Sequence, residues 1–173
     1  LYRLTRTPKG PLGNGMLGTV RHTLGELAQL KPSAESPDLS WQAYWLNVSA
    51  PGRPHILEVD YPSDQPQTLG ISVLEPNAAG ALAPIGLDSG VDVPEPLADG
   101  TAPRWMHHRL IFWPRTNTPL VLLTNRRDQT PAVFGKIRVL GGWDRLPRSE
   151  ADAPGGSRRL IAAYMDRPLL AEN

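Results

Sequence analysis

Proline and glycine interrupt this chain so often that long helices are excluded. The 173 residues include 19 prolines and 16 glycines, about a fifth of the chain, where average usage is roughly an eighth. Proline lacks a backbone hydrogen-bond donor, so each proline-containing turn ends the element before it. Such turns lie at 51–52, 62–64, 76–77 and 125–131. The chain can therefore be built only from short elements.

Between these turns apolar and polar residues alternate, which is the period of a strand with one buried face. In 55–61 the aliphatic side chains of Leu57 and Val59 fall on one side, and Glu58 and Asp60 fall on the other. The other predicted strands begin at Trp41 and cover 41–45, 69–73, 91–93, 105–113, 120–124 and 133–140. Seven or eight such strands without helices between them predict an all-β protein, an antiparallel β-sandwich of jelly-roll type. A parallel α/β sheet is excluded, because the gaps are too polar and too rich in proline for crossover helices.

One short helix is predicted before the strands. Over residues 16–30 the apolar side chains recur at helical spacing, at Leu17, Val20, Leu24, Leu27 and Leu30. Gly18 and Gly25 oppose a helix, since each glycine costs about 1 kcal/mol relative to alanine in a helix interior. A pair of strands is the alternative.

Composition divides the chain into three parts. Residues 1–142 hold the predicted sandwich domain, and 143–157, rich in glycine, proline and charge, are predicted to be a linker. Residues 158–173 are apolar again and form either a last strand of the sandwich or the start of a following domain. The chain begins at Leu1 without a signal-like stretch, so we interpret it as a fragment whose targeting signal lies elsewhere.

Charge and residue usage exclude several classes of function. Eighteen basic and 17 acidic residues give a net charge of +1, which does not suit a nucleic-acid binder or a polybasic membrane binder. No apolar run is long enough for a membrane span. Cysteine is absent, which excludes thiol chemistry and cysteine-ligated metals. The chain contains no nucleophile elbow, phosphate-binding loop or zinc-protease motif, so we do not expect an enzyme.

The candidate binding residues are tryptophans and their neighbours. The chain has five tryptophans but only two phenylalanines. Along 105–113 alternation directs Met106, His108, Leu110 and Phe112 toward the core and Trp105, His107, Arg109, Ile111 and Trp113 away from it. Indoles stack on sugar rings, and imidazole and guanidinium groups hydrogen-bond hydroxyls. The predicted ligand contacts are therefore Trp105, His107, Arg109 and Trp113, with Trp41 and Trp45, which share one face of their strand, as secondary candidates.

These indoles have a second interpretation. Large amphipathic rings favour interfaces, so a loop, the linker or a neighbouring domain would cover them if the surface binds no ligand. Glu58 and Asp60 are also ambiguous, because two carboxylates could serve a glycosidase. Carboxylates that alternate with apolar residues are typical of a solvated strand face, however, and Arg109 is their expected companion if the two strands are neighbours.

The histidines do not indicate a transition-metal site. His107 and His108 are adjacent and point to opposite faces of a strand, and His22 and His55 lack a carboxylate at a recognised ligand spacing. No cofactor is expected. If an ion is bound, it should be a structural Ca²⁺ held by loop oxygens, with Asp60, Asp64, Asp88 and Asp92 as candidate ligands.

Two stretches resemble galactose-binding-like jelly rolls, a fold of carbohydrate-binding modules. They are WQAYWLNVSAPGRPHILEVDYPSDQPQTLGISVLEP (41–76) and HHRLIFWPRTNTPLVLLTNRRDQTPAVFGKIRVLGG (107–142). In those modules a strand with alternating aliphatic residues follows a Pro-Gly turn, and the last strand ends in a pattern like Ile137-Arg138-Val139. Residues 158–173 are similar to a segment that leads into a glycoside-hydrolase-like barrel in large bacterial proteins.

The resemblance implies a non-catalytic accessory module of a secreted or cell-envelope protein. Its partner would be a polysaccharide or another glycan, with no role for nucleic acid. The resemblance also fits a structural domain that packs against a neighbouring glycoside-hydrolase-like domain of the same chain and binds no diffusible ligand. Ligand residues in this superfamily lie on variable loops, so the resemblance assigns no site residue.

Overall fold

The computed structural model describes residues 10–32, 39–85, 88–95 and 101–141. The predicted linker and the segment 158–173 lie outside the described residues. Within them the chain forms twelve strands and no helix: β1 (Leu12–Gly13), β2 (Leu17–His22), β3 (Gly25–Leu30), β4 (Trp41–Trp45), β5 (His55–Pro62), β6 (Gln67–Pro76), β7 (Leu82–Pro84), β8 (Ser89–Val93), β9 (Trp105–Phe112), β10 (Leu120–Asn125), β11 (Ala132–Phe134) and β12 (Ile137–Leu140). No helix of this part of the chain could cross a membrane.

Two layers of antiparallel strands form the sandwich. One layer is a six-stranded sheet in the order β1-β4-β10-β6, with β7 and β8 both paired to β6. The other layer holds two three-stranded sheets, β2-β3-β11 and β9-β5-β12. The backbone between β11 and β12 links these sheets, because Gly135 donates to the Asp60 carbonyl at 2.7 Å and Asp60 donates to the Lys136 carbonyl at 2.9 Å. The predicted antiparallel β-sandwich of jelly-roll type is confirmed.

The core lies between the two layers, because each strand directs alternate residues inward. Leu57 and Val59 of β5 are fully buried, as are Ile71 of β6 and Leu123 of β10. Burying each aliphatic side chain contributes about 1.5–3 kcal/mol. The single strand predicted over 133–140 is in fact two strands, since β11 pairs with β3 and β12 pairs with β5.

The helix predicted over residues 16–30 is wrong, and the alternative pair of strands is what forms. β2 and β3 make a hairpin in which His22 lies opposite Gly25, and Gly25 has a φ of +124°, outside the helical region. Leu30 pairs with Ala132 of β11 and is fully buried. The backbone partner that β11 supplies lies about 100 residues away along the chain, so local spacing could not reveal it.

A substitution at Gly25 distinguishes the hairpin from the helix. Gly25→Ala would stabilise a helix by about 1 kcal/mol, but in the hairpin it forces an L side chain into a positive φ. We expect a loss of about 1–2 kcal/mol in the free energy of unfolding, measured by urea denaturation. Gly18→Ala, on β2 with open space around its Cα, is the matched control. A Gly25→Ala protein more stable than the original would contradict the hairpin.

Glu75 of β6 anchors the loop that follows β9. Its carboxylate is fully buried and accepts hydrogen bonds from the backbone N–H groups of Arg115 at 3.0 Å and Thr116 at 2.8 Å. The Thr116 hydroxyl and the Arg115 guanidinium donate to it as well. Burial raises the pKa of Glu75, but these hydrogen bonds outweigh burial and hold the pKa below its usual value. The chain just after Trp113 is therefore fixed to the six-stranded sheet.

Glu75→Gln should lower the free energy of unfolding by about 1–3 kcal/mol, because an amide group brings a donor to a site that is already filled with donors. The folded-state pKa of Glu75 lies below its unfolded-state value. Its contribution is therefore fully present above the unfolded-state pKa of about 4.3 and is lost as the pH falls through the folded-state pKa. Urea denaturation across that range should show a flatter pH dependence for the variant, with the exposed Glu26→Gln as control. Equal pH dependences would contradict the role of Glu75.

Candidate functional site

Four of the six candidate residues lie along β9 or directly after it. His107, Arg109 and Ile111 are exposed and Phe112 is buried, so the predicted alternation of this strand is confirmed. The adjacent histidines point to opposite sides, as predicted: the ring of His107 hydrogen-bonds Asp60 at 2.7 Å, and that of His108 hydrogen-bonds Ser89 of the other layer at 3.1 Å. Burial lowers the pKa of His108.

Strand register brings bases from both sides onto two carboxylates of β5. Glu58 lies opposite Arg109 of β9 and Arg138 of β12, and Asp60 lies opposite His107. Residues that are directly paired in an antiparallel sheet point to the same face. We call the surface formed by Glu58, Asp60, His107, Arg109 and Arg138, with the indole of Trp105 at one end, the basic face.

The contacts within the basic face are short. Arg109 donates from Nε to Glu58 at 2.6 Å, and Arg138 donates from Nε to the other oxygen of Glu58 at 2.9 Å. Arg138 also bonds Asp60, whose same oxygen accepts the bond from His107 Nδ1. The proton of a neutral His107 therefore lies on Nδ1, which leaves Nε2 without a partner among the described residues.

In the basic face the carboxylates are buried, and the basic groups lie over them on the solvent side. The side chains of Glu58 and Asp60 are 8% and 7% exposed, whereas those of Arg109, His107 and Arg138 are 63%, 43% and 36% exposed. Hydrogen bonds from Arg109 and then Arg138 hold the pKa of Glu58 below its usual value, and Glu58 raises the pKa of Arg138. Pairing with two guanidinium groups thus favours the ionised form of Glu58 although its side chain is buried.

One interpretation of the sequence is thus wrong and another is confirmed. Glu58 and Asp60 do not form a solvated strand face, because the long side chains of the neighbouring strands cover them. Arg109 is the companion of Glu58, as expected. Sequence reasoning missed Arg138, although it stands at an outward position of an alternating strand. Only the register of β12 against β5 shows that it meets Glu58.

The two tryptophans near the basic face occupy its opposite ends. Trp105 is half-buried and packs over Gly135, where a Cβ atom would come within 2.6 Å of the indole, so this contact requires glycine. Trp113 follows the end of β9 and is 51% exposed. Eight residue steps of extended chain separate the Cα atoms of Trp105 and Trp113 by about 25 Å. A single sugar ring therefore cannot contact both of them.

Trp41 and Trp45 lie on the other layer. Both belong to β4, and Trp41 lines a groove of about 350 Å³ on the outer side of the six-stranded sheet. We call this the apolar groove; its lining consists of Leu12, Leu39, Trp41, Ala43, Leu74, Leu82, Leu120, Leu122 and Thr124. Trp45 borders a separate depression with Tyr44 and Phe134. The six candidates therefore belong to different surfaces.

The carboxylates considered for calcium each face a basic side chain. Asp64 contacts His22 at 3.2 Å, a pairing that was not visible in the sequence, and the other contacts are Asp88–Arg126 at 3.8 Å and Asp92–Arg127 at 3.4 Å. Among the described residues Glu58, Asp60 and His107 form the one group of three ligand-type side chains within 4.8 Å of one another. Two guanidinium groups already occupy its carboxylates. A structural calcium ion stays a prediction.

No protein-family model matches the sequence, and no curated protein matches it. Among solved structures, the fold is similar to that of a candidate sugar-binding protein from Bacteroides thetaiotaomicron, with a TM-score of 0.51 and 6% identity over 75% of this chain and 84% of that one. The C-terminal CBM6 of the laminarinase LamC from Zobellia galactanivorans gives 0.49 and 16% over 75% and 91%. The CBM22-1 xylan-binding domain of Paenibacillus barcinonensis Xyn10C gives 0.48 and 11% over 78% and 86%. At these identities the likeness concerns the fold.

Proposed function

We propose that this protein is a non-catalytic carbohydrate-binding module and an accessory domain of a larger secreted or cell-envelope protein. The observation that carries the proposal is the basic face. There the buried Glu58 accepts a hydrogen bond from the exposed Arg109 and orients it, and Trp105 and Trp113 lie toward the two ends of the strand that carries Arg109. The fold shared with the candidate sugar-binding protein of Bacteroides thetaiotaomicron supports the same function.

The basic face has the groups that sugar recognition needs. Indole rings offer flat apolar surface for the C–H faces of a sugar ring, and the guanidinium of Arg109 and the imidazole of His107 offer hydrogen bonds to hydroxyl groups. Because Glu58 already holds Arg109, ordering this long side chain on binding costs little entropy. The distance between Trp105 and Trp113 favours an extended polysaccharide that lies along β9.

Trp113→Ala should weaken the binding of this protein to its polysaccharide several-fold. The fold should stay intact, because half of this indole is exposed to solvent. Affinity electrophoresis in gels that contain single polysaccharides measures retention, and urea denaturation checks the fold. Trp41→Ala, which removes an indole from the other layer, is the matched control. Unchanged retention, or an unfolded variant, would show that Trp113 is structural.

The apolar groove supports a second candidate function, a structural domain that packs against a neighbouring glycoside-hydrolase-like domain and binds no diffusible ligand. Leu12, Leu39 and Leu82 in its lining are each two-fifths to one-half exposed, and contiguous exposed apolar surface favours a protein interface. In a longer protein that includes that domain, Trp41 should then be protected from acrylamide quenching relative to this chain. Equal quenching would reject this function.

A further inference from the structure

We propose that the basic face selects glycans that carry an anionic group, a carboxylate or a sulfate ester, and that Arg109 binds this group. The inference rests on the proposed function and names the class of ligand for the same site. It follows from three features of the face: the order of acids and bases, the free side of the Arg109 guanidinium, and the balance of charge.

The first feature is the order in which a ligand meets the charges. Glu58 and Asp60 are almost fully buried, and the basic groups of Arg109, His107 and Arg138 lie above them. A molecule that approaches from solvent therefore meets N–H donors before it meets a carboxylate. The ligand atoms in contact must be hydrogen-bond acceptors. Carboxylate and sulfate oxygens are stronger acceptors for a guanidinium than a hydroxyl group is, because their bonds are charge-assisted.

The second feature is the guanidinium of Arg109. Among the described residues it hydrogen-bonds through Nε only, to Glu58, so both terminal amino groups are left for a ligand. The planar fork of those groups matches two oxygens of a carboxylate or sulfate. Glu58 keeps the side chain in one orientation, which makes Arg109 a preformed clamp rather than a mobile surface arginine.

The third feature is the charge balance, which separates an acidic glycan from polyanions in general. Two carboxylates offset the two guanidinium groups of the face, and the whole chain carries only +1. Long-range attraction for a polyanion is therefore small. Recognition must depend on direct contact at Arg109 combined with stacking of the sugar on an indole, which a non-sugar polyanion cannot supply.

Pairs of polymers with the same backbone test this inference. Polygalacturonate and glucuronoxylan are each compared with their carboxyl-reduced forms, and dextran sulfate is compared with dextran, by isothermal titration calorimetry on the intact chain. We expect binding to at least one charged member to be about tenfold or more tighter than to its neutral form, the size of one charge-assisted contact. Tighter binding in the carboxylate pairs or in the sulfate pair identifies the anionic group. Sodium polyglutamate, a polyanion without sugar rings, is the control for non-specific attraction of negative charge.

Variants of Arg109 locate the effect. Arg109→Gln should lose most of the preference for the charged polymer and keep the affinity for its neutral form. Arg109→Lys should show an intermediate preference for the charged polymer, since lysine keeps the charge but lacks the planar fork of donors. This variant also tests the role of Arg109 if the glutamine variant does not fold. Arg21→Gln removes the same charge from an exposed position of β2 in the same layer and should change nothing.

Each contrary result has a distinct meaning. Equal affinity for charged and neutral members of every pair overturns the inference and leaves the proposed function standing. Binding of polyglutamate as tightly as the acidic polysaccharides also overturns it, because the face would then attract any polyanion. A preference that survives Arg109→Gln and Arg109→Lys overturns the assignment of Arg109. Absence of binding to all of these polymers overturns the inference and the proposed function together.

Discussion

The pairing of Glu58 and Asp60 with bases from both neighbouring strands is the interaction on which the candidate site depends. Two carboxylates covered by other side chains would be disfavoured if they were left unpaired, because burial opposes the charged form. Arg109 and Arg138 offset this effect of burial and at the same time fasten β9 and β12 to β5 through side chains, in addition to the backbone ladder. The same contacts orient Arg109 toward solvent. Stability and recognition in this layer therefore arise from one set of bonds.

A second buried acid acts in the same way on the backbone. Glu75 accepts hydrogen bonds from the backbone N–H groups of Arg115 and Thr116, so the loop after β9 leaves the strand in a defined direction. Gly135 has the corresponding role at the other end of the face, because the absence of a side chain lets Trp105 pack there. These two positions fix the ends of the face, and neither of them is among the proposed ligand contacts.

Much of the fold followed from local patterns. Alternating aliphatic residues and proline-containing turns indicated strands close to β5, β6, β8, β9 and β10, and these strands form. The helix predicted over residues 16–30 does not form, because five apolar residues at helical spacing also suit a hairpin whose second strand, β3, pairs with β11. The face of Trp105, His107 and Arg109 was predicted because it depends only on the period of one strand. The burial of Glu58 was not predicted, because it depends on side chains of two other strands, β9 and β12.

The sequence by itself determined which residues alternate, where strands end, and which side chains of β9 face outward, since these properties depend on steric rules that act over a few residues. The tertiary structure alone decided the register of β5 against β9 and β12, the split of the tryptophans between two layers, and the placement of acids beneath bases. Register depends on contacts between residues 50 to 80 positions apart, as in Glu58–Arg109 and Glu58–Arg138. No short-range pattern contains that information.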